Sequence, residues 1–273
     1  MASYEQYLQR QENINSIVSC LRLLGDMTRR ELCDRLKLSW GCVSELSSLL
    51  IHSEMLLEKK SNGGDRGRTP LLLTLNPKKR VLGTDINTMG ISCCLCDMYG
   101  KVIKEQRFDT DFSDKSGLLK STTGAVLETL GSDLAECVGI GIAMQGICSD
   151  GHLWNFPTEG GSFAVATSEL EGLFQIPTVV EHDPNCILLG VTDKNENETT
   201  VMVRLDNSIG MAVYANNGFL KPGDMELAHI VVKENGRKCS CGHYGCLQTV
   251  SSISGITEAS GQPFDKLAAS AQT

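Results

Sequence analysis

The sequence contains no apolar run that approaches the ~20 residues a helix needs to cross a bilayer. Its first residues, Met1 to Arg10, are polar, and no apolar signal core follows them. These absences predict a cytoplasmic protein with no membrane partner. They also bear on the twelve cysteines, because a chain without a secretory signal is not expected to carry a disulfide framework. Cys93, Cys94 and Cys96 lie in apolar stretches and read as small buried hydrophobes. An overall excess of basic charge is missing too, since the net charge is −8. That figure conceals a segregation: residues 1–80 carry 13 Lys and Arg against 9 Asp and Glu, whereas the remainder carries 12 against 24. A basic head on an acidic body suits a protein whose head alone meets phosphates.

At 273 residues the chain has room for one small and one larger domain. In the head, residues 10–77, the spacing of Ile14, Ile17, Val18, Leu21 and Leu24 predicts an amphipathic helix that Gly25-Asp26 ends. Thr28 and Glu31 form a capping-box pattern before a short helix carrying Leu32 and Leu36. Ser39 is a second N-cap, and Val43, Leu46 and Leu50 give the stripe of a third helix. Two apolar stretches, Met55 to Lys60 and Thr69 to Leu75, flank a Gly-rich basic turn and read as a β-hairpin. Three helices and a hairpin make a winged helix-turn-helix, so double-stranded DNA is the expected partner. The third helix would present Ser39, Trp40, Gly41, Cys42, Ser44, Glu45 and Ser48 to the major groove. Arg66 and Arg68 at the wing tip would reach phosphates or a minor groove. Glu45 is discordant, since a carboxylate facing the groove is repelled by phosphates unless it accepts from cytosine or points sideways.

The body, residues 80–273, alternates strands and helices. Val81 to Ile86, Ile91 to Asp97, Lys101 to Ile103, Cys137 to Ala143 and Thr178 to Glu181 read as strands, with helices around Leu118 to Leu134 and after Asp183. This order predicts an α/β domain with a mixed sheet. Near its end, Cys239-Ser240-Cys241-Gly242-His243-Tyr244-Gly245-Cys246 sets three thiols around a glycine-turned loop, a pattern suited to a structural Zn²⁺. His243 lies inside this loop and is the local candidate for a fourth ligand.

Several motifs resemble, in order, those of the ROK family of repressors and sugar kinases. They are Gly139-Ile140-Gly141-Ile142 with Gln145-Gly146, Glu181-His182-Asp183-Pro184-Asn185, Glu226-Leu227-Ala228-His229, and the cysteine loop through Gln248. In the head, Leu38 to Leu50 and Gly67-Arg68-Thr69-Pro70 are similar to the winged helix of the family's regulators. The resemblance implies an actin-like, hexokinase-like body. It also implies His229 as fourth metal ligand beside Cys239, Cys241 and Cys246, and a sugar site at Glu181, Asp183, Glu226 and His229. Asp183 matches the general base of the family's kinases. Two of this chain's residues depart from the family's sugar pocket: His182 replaces Asn, and Gln248 replaces Glu.

The phosphate loops depart further. Where the family's kinases have Asp-x-Gly-Gly-Thr, this chain has Asp85-Ile86-Asn87-Thr88-Met89. Where they have Gly-Thr-Gly, it has Asp206-Asn207-Ser208 before Ile209-Gly210. Side chains in both cradles, one of them a carboxylate, oppose the approach of ATP phosphates. The expectation is therefore not an enzyme but a DNA-binding transcriptional regulator, a repressor of carbohydrate uptake or catabolism genes. It would form a homodimer or higher homo-oligomer and respond to a sugar or sugar-phosphate effector. A hexose kinase using ATP is the alternative. Relative to the family the chain stops early, so the ROK domain is read as truncated at its C-terminus, with one short helix expected around Phe264 to Ala269.

Overall fold

A computed structural model describes the chain apart from residues 1–3, 61–69, 111, 150–151, 159–160, 192–198, 217, 221–225 and 271–273. Arg66 and Arg68, and with them the expected wing tip, lie outside the described residues. The fold is mixed α/β. It resolves into two compact units, one of Met1–Gly83, Cys93–Gln106 and Val126–Ile140, the other of Thr84–Ser92, Arg107–Ala125 and Gly141–Thr273.

In the first unit, α1 (Tyr4–Leu24) ends at Gly25, whose φ of 85° turns its N–H back to the Leu21 carbonyl at 3.0 Å. Thr28 caps α2 (Arg29–Leu36) as the sequence predicts: its Oγ1 accepts from the Glu31 N–H, and Glu31 accepts in return from the Thr28 N–H at 2.7 Å. Ser39 caps α3 (Trp40–His52) by accepting from the Cys42 N–H at 3.2 Å. The strands β2 (Leu56–Lys60) and β3 (Leu71–Leu75) pair antiparallel, from Leu56 opposite Leu75 to Lys60 opposite Leu71. A further strand, β1 (Met27–Thr28), pairs with the other edge of β3. The segment expected to be all-helical before its hairpin thus contains a strand too short to show a period of two.

Ile17, Leu21, Leu32, Val43, Leu56 and Leu73 are fully buried in one cluster, the periodic apolar faces of these elements closing on one another. Met98 belongs to the same cluster, and Val81 and Val138 pack against it. Polar contacts follow the same course. Lys79 Nζ lies 3.2 Å from a Glu54 carboxylate oxygen and 3.0 Å from one of Glu136. The Asn76 amide donates to the Glu54 carbonyl at 2.8 Å, and the Tyr99 and Thr74 hydroxyls share a hydrogen bond of 2.8 Å. The helical head is therefore packed onto the ends of strands from the body rather than hung from a free linker.

Five strands form one sheet in the order β11-β7-β4-β5-β6: β4 is Arg80–Asn87, β5 Gly90–Asp97, β6 Val102–Phe108, β7 Cys137–Met144 and β11 Thr178–His182. Helix α4 (Lys115–Leu130) and a 3-10 turn, Gly131–Glu136, lie between β6 and β7, where the sequence predicts a single helical stretch. The second unit adds an antiparallel sheet, β10-β9-β8 (β8 Ile147–Ser149, β9 Leu153–Thr158, β10 Gly161–Ala166). Phe156 anchors it, edge-on to Phe112 and stacked on Phe163, each at 5.5 Å. Gly146, with φ 123°, stands where a Cβ would lie 2.4 Å from the Asn155 carbonyl, so the turn into this sheet admits only glycine.

After α5 (Thr167–Glu171) and β11, helix α6 (Asp183–Val191) packs on β13 (Ile209–Ala215), the centre of a third sheet with β12 (Thr200–Leu205) and β14 (Gly218–Phe219). The chain continues through α7 (Leu247–Ser251), α8 (Ile253–Ser260) and α9 (Phe264–Ser270). The expected terminal helix is α9. α8 went unread because Ser, Gly and Thr, poor helix formers, stand among its few apolar residues, although Ser252 caps it by accepting from the Gly255 N–H at 2.9 Å.

Leu73 is fully buried on the central strand of the head's sheet. Replacing Leu73 with Ala should destabilise the head by about 2–5 kcal/mol, read as a lower thermal midpoint by circular dichroism. An unchanged midpoint would place Leu73 outside any cooperative core.

Candidate functional site

The cysteine loop is shaped by its glycines. Gly245 has φ 73°, and a Cβ there would overlap the Lys233 carbonyl, while the Gly242 N–H turns back to the Cys239 carbonyl at 2.9 Å. Val232 and Lys233 both donate to the Gly245 carbonyl, and Leu247 donates to that of Ile230. These bonds carry the loop against the 3-10 turn Leu227–His229. In consequence the ligand atoms of His229, Cys239, Cys241 and Cys246 all lie within 4.8 Å of one another. Cys239 Sγ is 3.5 Å from His229 Nδ1, and Cys241 Sγ is 3.6 Å from Cys246 Sγ. A tetrahedral ion with metal–sulfur bonds of about 2.3 Å requires edges of about 3.8 Å, so this donor set fits one with little movement. Burial and the thiols of Cys241 and Cys239 push the Cys246 thiol up to about 12. Burial opposes ionisation of Cys239 too, but hydrogen bonds from Cys241 and Cys246 hold its thiol below the ordinary value, so one sulfur of the group already favours the thiolate a cation would bind. His243 Nδ1 reaches Cys241 Sγ alone, at 3.5 Å, and the four-residue group does not include it.

A second cluster lies at the junction of β11 and α6. Asp183, whose side chain is 13% exposed, accepts from Arg204 Nη1 at 3.2 Å, and Arg204 Nη2 donates to Asp206 at the same distance. His182 Nε2 lies 3.7 Å from the other Asp183 oxygen. Glu181 accepts from the His182 N–H at 2.7 Å and from the Asn185 amide at 3.0 Å. Burial pushes the Asp183 carboxyl up to about 6; Arg204 pulls against that rise and Asp85 adds to it. Burial likewise raises Asp85 and Glu226. The expected sugar residues thus form two pairs: Glu181 with Asp183 at the strand–helix junction, and Glu226 with His229 at the 3-10 turn. Among the described residues no hydrogen bond joins one pair to the other.

The loops that the resemblance sets against the family's phosphate cradles hold hydrogen bonds to the chain's own side chains. The Asn87 carbonyl oxygen accepts from the Met89 N–H, and Gln145 from the Thr88 N–H, both at 2.8 Å. In the other loop Asp206 accepts from the Asn207 N–H at 2.8 Å and Gln248 from the Ile209 N–H at 2.9 Å. Four backbone donors are therefore already paired. Sequence reasoning missed Arg204, whose signal was a lone cation in the apolar strand Thr200–Leu205.

A third candidate surface is the outer face of α3. Trp40 is 60% exposed, and Gly41, Glu45 and Ser48 are exposed, whereas Cys42 and Ser44 are half-buried and Val43, Leu46 and Ser47 point into the core. Glu45 turns sideways, its Oε1 3.0 Å from Arg10 Nη2 on α1. The discordant carboxylate thus has an internal partner, which the polar N-terminal segment did not advertise.

Residues 81–272 match the ROK family. The chain belongs to the ROK family. An N-acetylglucosamine repressor from Escherichia coli O6:H1 is 20% identical over 263 residues, covering 92% of this chain and 65% of that protein. A glucokinase from Halalkalibacterium halodurans is 24% identical over 188 residues, covering 64% of this chain and 57% of the enzyme. The crystal structure of a ROK family transcriptional regulator, a homologue of the Escherichia coli Mlc protein, superposes with a TM-score of 0.71 at 20% identity, over 92% of this chain and 67% of its own. At that identity the likeness shows the fold. This ROK chain spans less than two thirds of the length of the repressor it matches.

Replacing Cys241 with Ser should abolish stoichiometric metal uptake and lower the thermal midpoint of the metal-loaded protein; equal metal content by mass spectrometry would refute the four-ligand site. A second expectation concerns pH. Between the ordinary carboxylate value near 4 and about 6, folded Asp183 holds a proton that the unfolded chain has lost. Its contribution to stability is present below that window and lost as pH rises through it. Relative to wild type, Asp183→Asn should therefore gain about 1–3 kcal/mol between pH 4 and pH 7 in denaturant unfolding. A difference independent of pH would contradict the shift.

Proposed function

We propose that this ROK chain is a DNA-binding transcriptional regulator, a repressor of carbohydrate uptake or catabolism genes, whose sugar-kinase site has become a sensor. The observation that carries this reading is the closure of both phosphate loops. ATP could enter only by displacing Asn87, Gln145, Asp206 and Gln248 from backbone N–H groups they already satisfy. A general base must also be free to take a proton, and Asp183 is held by Arg204.

The head, residues 10–77, is read as a winged helix-turn-helix with Ser39, Trp40, Gly41, Cys42, Ser44, Glu45 and Ser48 on its reading helix, and Arg66 and Arg68 on its wing. The ROK domain, residues 80–273, would bind a sugar or sugar phosphate through Glu181, Asp183, Glu226 and His229. Support comes from the polar groups concentrated at these positions and from relatives named N-acetylglucosamine repressor and xylose repressor. A structural Zn²⁺ would be held by His229, Cys239, Cys241 and Cys246, supplying a charge that keeps the thiolates together and His229 oriented. A homodimer would place two reading helices on half-sites one helical turn apart, and effector binding would shift the population between DNA-competent and incompetent states. Such a protein works in the cytoplasm.

The test combines two assays on the full chain. Genomic fragments should be retained at low salt and released steeply as salt rises, with Trp40→Ala weakening retention. An ATP-coupled assay over hexoses and N-acetylhexosamines should give no turnover. Measurable phosphorylation would favour the kinase reading, to which the glucokinase relative lends support. Absence of any duplex binding would overturn the regulator reading.

A further inference from the structure

The reading helix α3 contains no Lys or Arg along Trp40–His52, and Glu45 is its one carboxylate. Two cations of the head are engaged elsewhere: Arg29 with Ser47 and Glu58, Lys59 with Asp26. Arg10 is different, because it comes from the exposed N-terminal half of α1 and meets Glu45 directly. It stands in a polar row on that helix. Gln6, Gln9, Arg10 and Asn13, spaced three and four residues apart, line a groove against Cys42 and Glu45. The Asn13 amide approaches Cys42 Sγ at 3.7 Å, so the row is in contact with the first turns of α3.

We infer that Arg10 is a positioning residue for DNA recognition: it holds the Glu45 carboxylate against α1 and cancels its charge, so that the first turn of α3 can enter a groove. This rests on the DNA-binding reading above. An ion pair with side chains 44% and 65% exposed adds little to folding, so stability does not explain it. Its effect changes beside a duplex, where phosphates repel an unpaired carboxylate and the removal of water strengthens the pair. With Glu45 held aside, Trp40, Gly41 and Ser44 present a neutral face. With Arg10 gone, Glu45 can swing to the groove, where the one base group it suits is the cytosine amino group.

The experiment measures binding of the full chain to a fluorescein-labelled mixed-sequence duplex by anisotropy, across a salt series. Arg10→Ala should weaken binding about tenfold, and adding Glu45→Ala should restore it to within about threefold of Glu45→Ala alone. Sequence selection with Arg10→Ala should enrich cytosine at one position that wild type leaves unspecified. Arg10→Met, which keeps the helix-forming stem, should behave as Arg10→Ala with an unchanged far-ultraviolet spectrum. Wild-type affinity in Arg10→Ala would overturn the inference. So would a loss that Glu45→Ala does not rescue, accompanied by a salt slope lower by about one, because that is the signature of a direct phosphate contact. If wild type itself ignores duplex DNA, the regulator reading fails first; if wild type binds and the rescue is absent, only the role of Arg10 fails.

Discussion

A backbone N–H at a tight turn must find an acceptor, and whichever acceptor it finds decides what the turn can still bind. Two turns of this protein face that constraint at the corresponding loops of the ROK body, and both meet it from within. Asn87 and Gln145 serve one turn, Asp206 and Gln248 the other. Arg204 extends the same closure by bridging Asp206 to Asp183. A fold that elsewhere admits a nucleotide has here become a closed network of its own side chains. Asp183 is thereby a buried carboxyl whose pKa burial raises and which a cationic neighbour holds.

The His229 and cysteine cluster is shaped by geometry of the same local kind. Gly242 and Gly245 take left-handed conformations that let the loop fold back on itself, and the returning strand segments meet the turn that carries His229. That turn also carries Glu226, whose burial raises its carboxyl. The cysteine cluster and Glu226 therefore share one short turn.

In the head, the apolar cluster does not stop at the helices and hairpin. Met98 enters it, and Lys79 lies between carboxylates of Glu54 and Glu136 that both raise its pKa. Removing water from such contacts joins the head to the strand ends beside it as one packed body.

How much of this was legible beforehand depends on the range of the forces involved. Caps and stripes are local, so Thr28, Glu31, Ser39 and the apolar positions of α1 to α3 were readable one after another. Of the four clustered donors, three were readable from spacing and the fourth only through family resemblance, because His229 is brought to the thiols by a chain reversal. The departure from the family's glycines at Asn87, Thr88 and Asp206 was visible. Which side chains satisfy those turns was not, since it required knowing that Gln145, Gln248 and Arg204 reach them from distant elements. The partner of Glu45 was hidden for the same reason, thirty-five positions away on another helix. By itself the sequence determined which helices and strands form, where they are capped and which residue types could hold a metal, because neighbouring residues decide those matters. Only the tertiary structure decided which donors are already satisfied and which charges are already paired, because hydrogen bonds and ion pairs act over a few ångströms between groups that the chain order keeps apart.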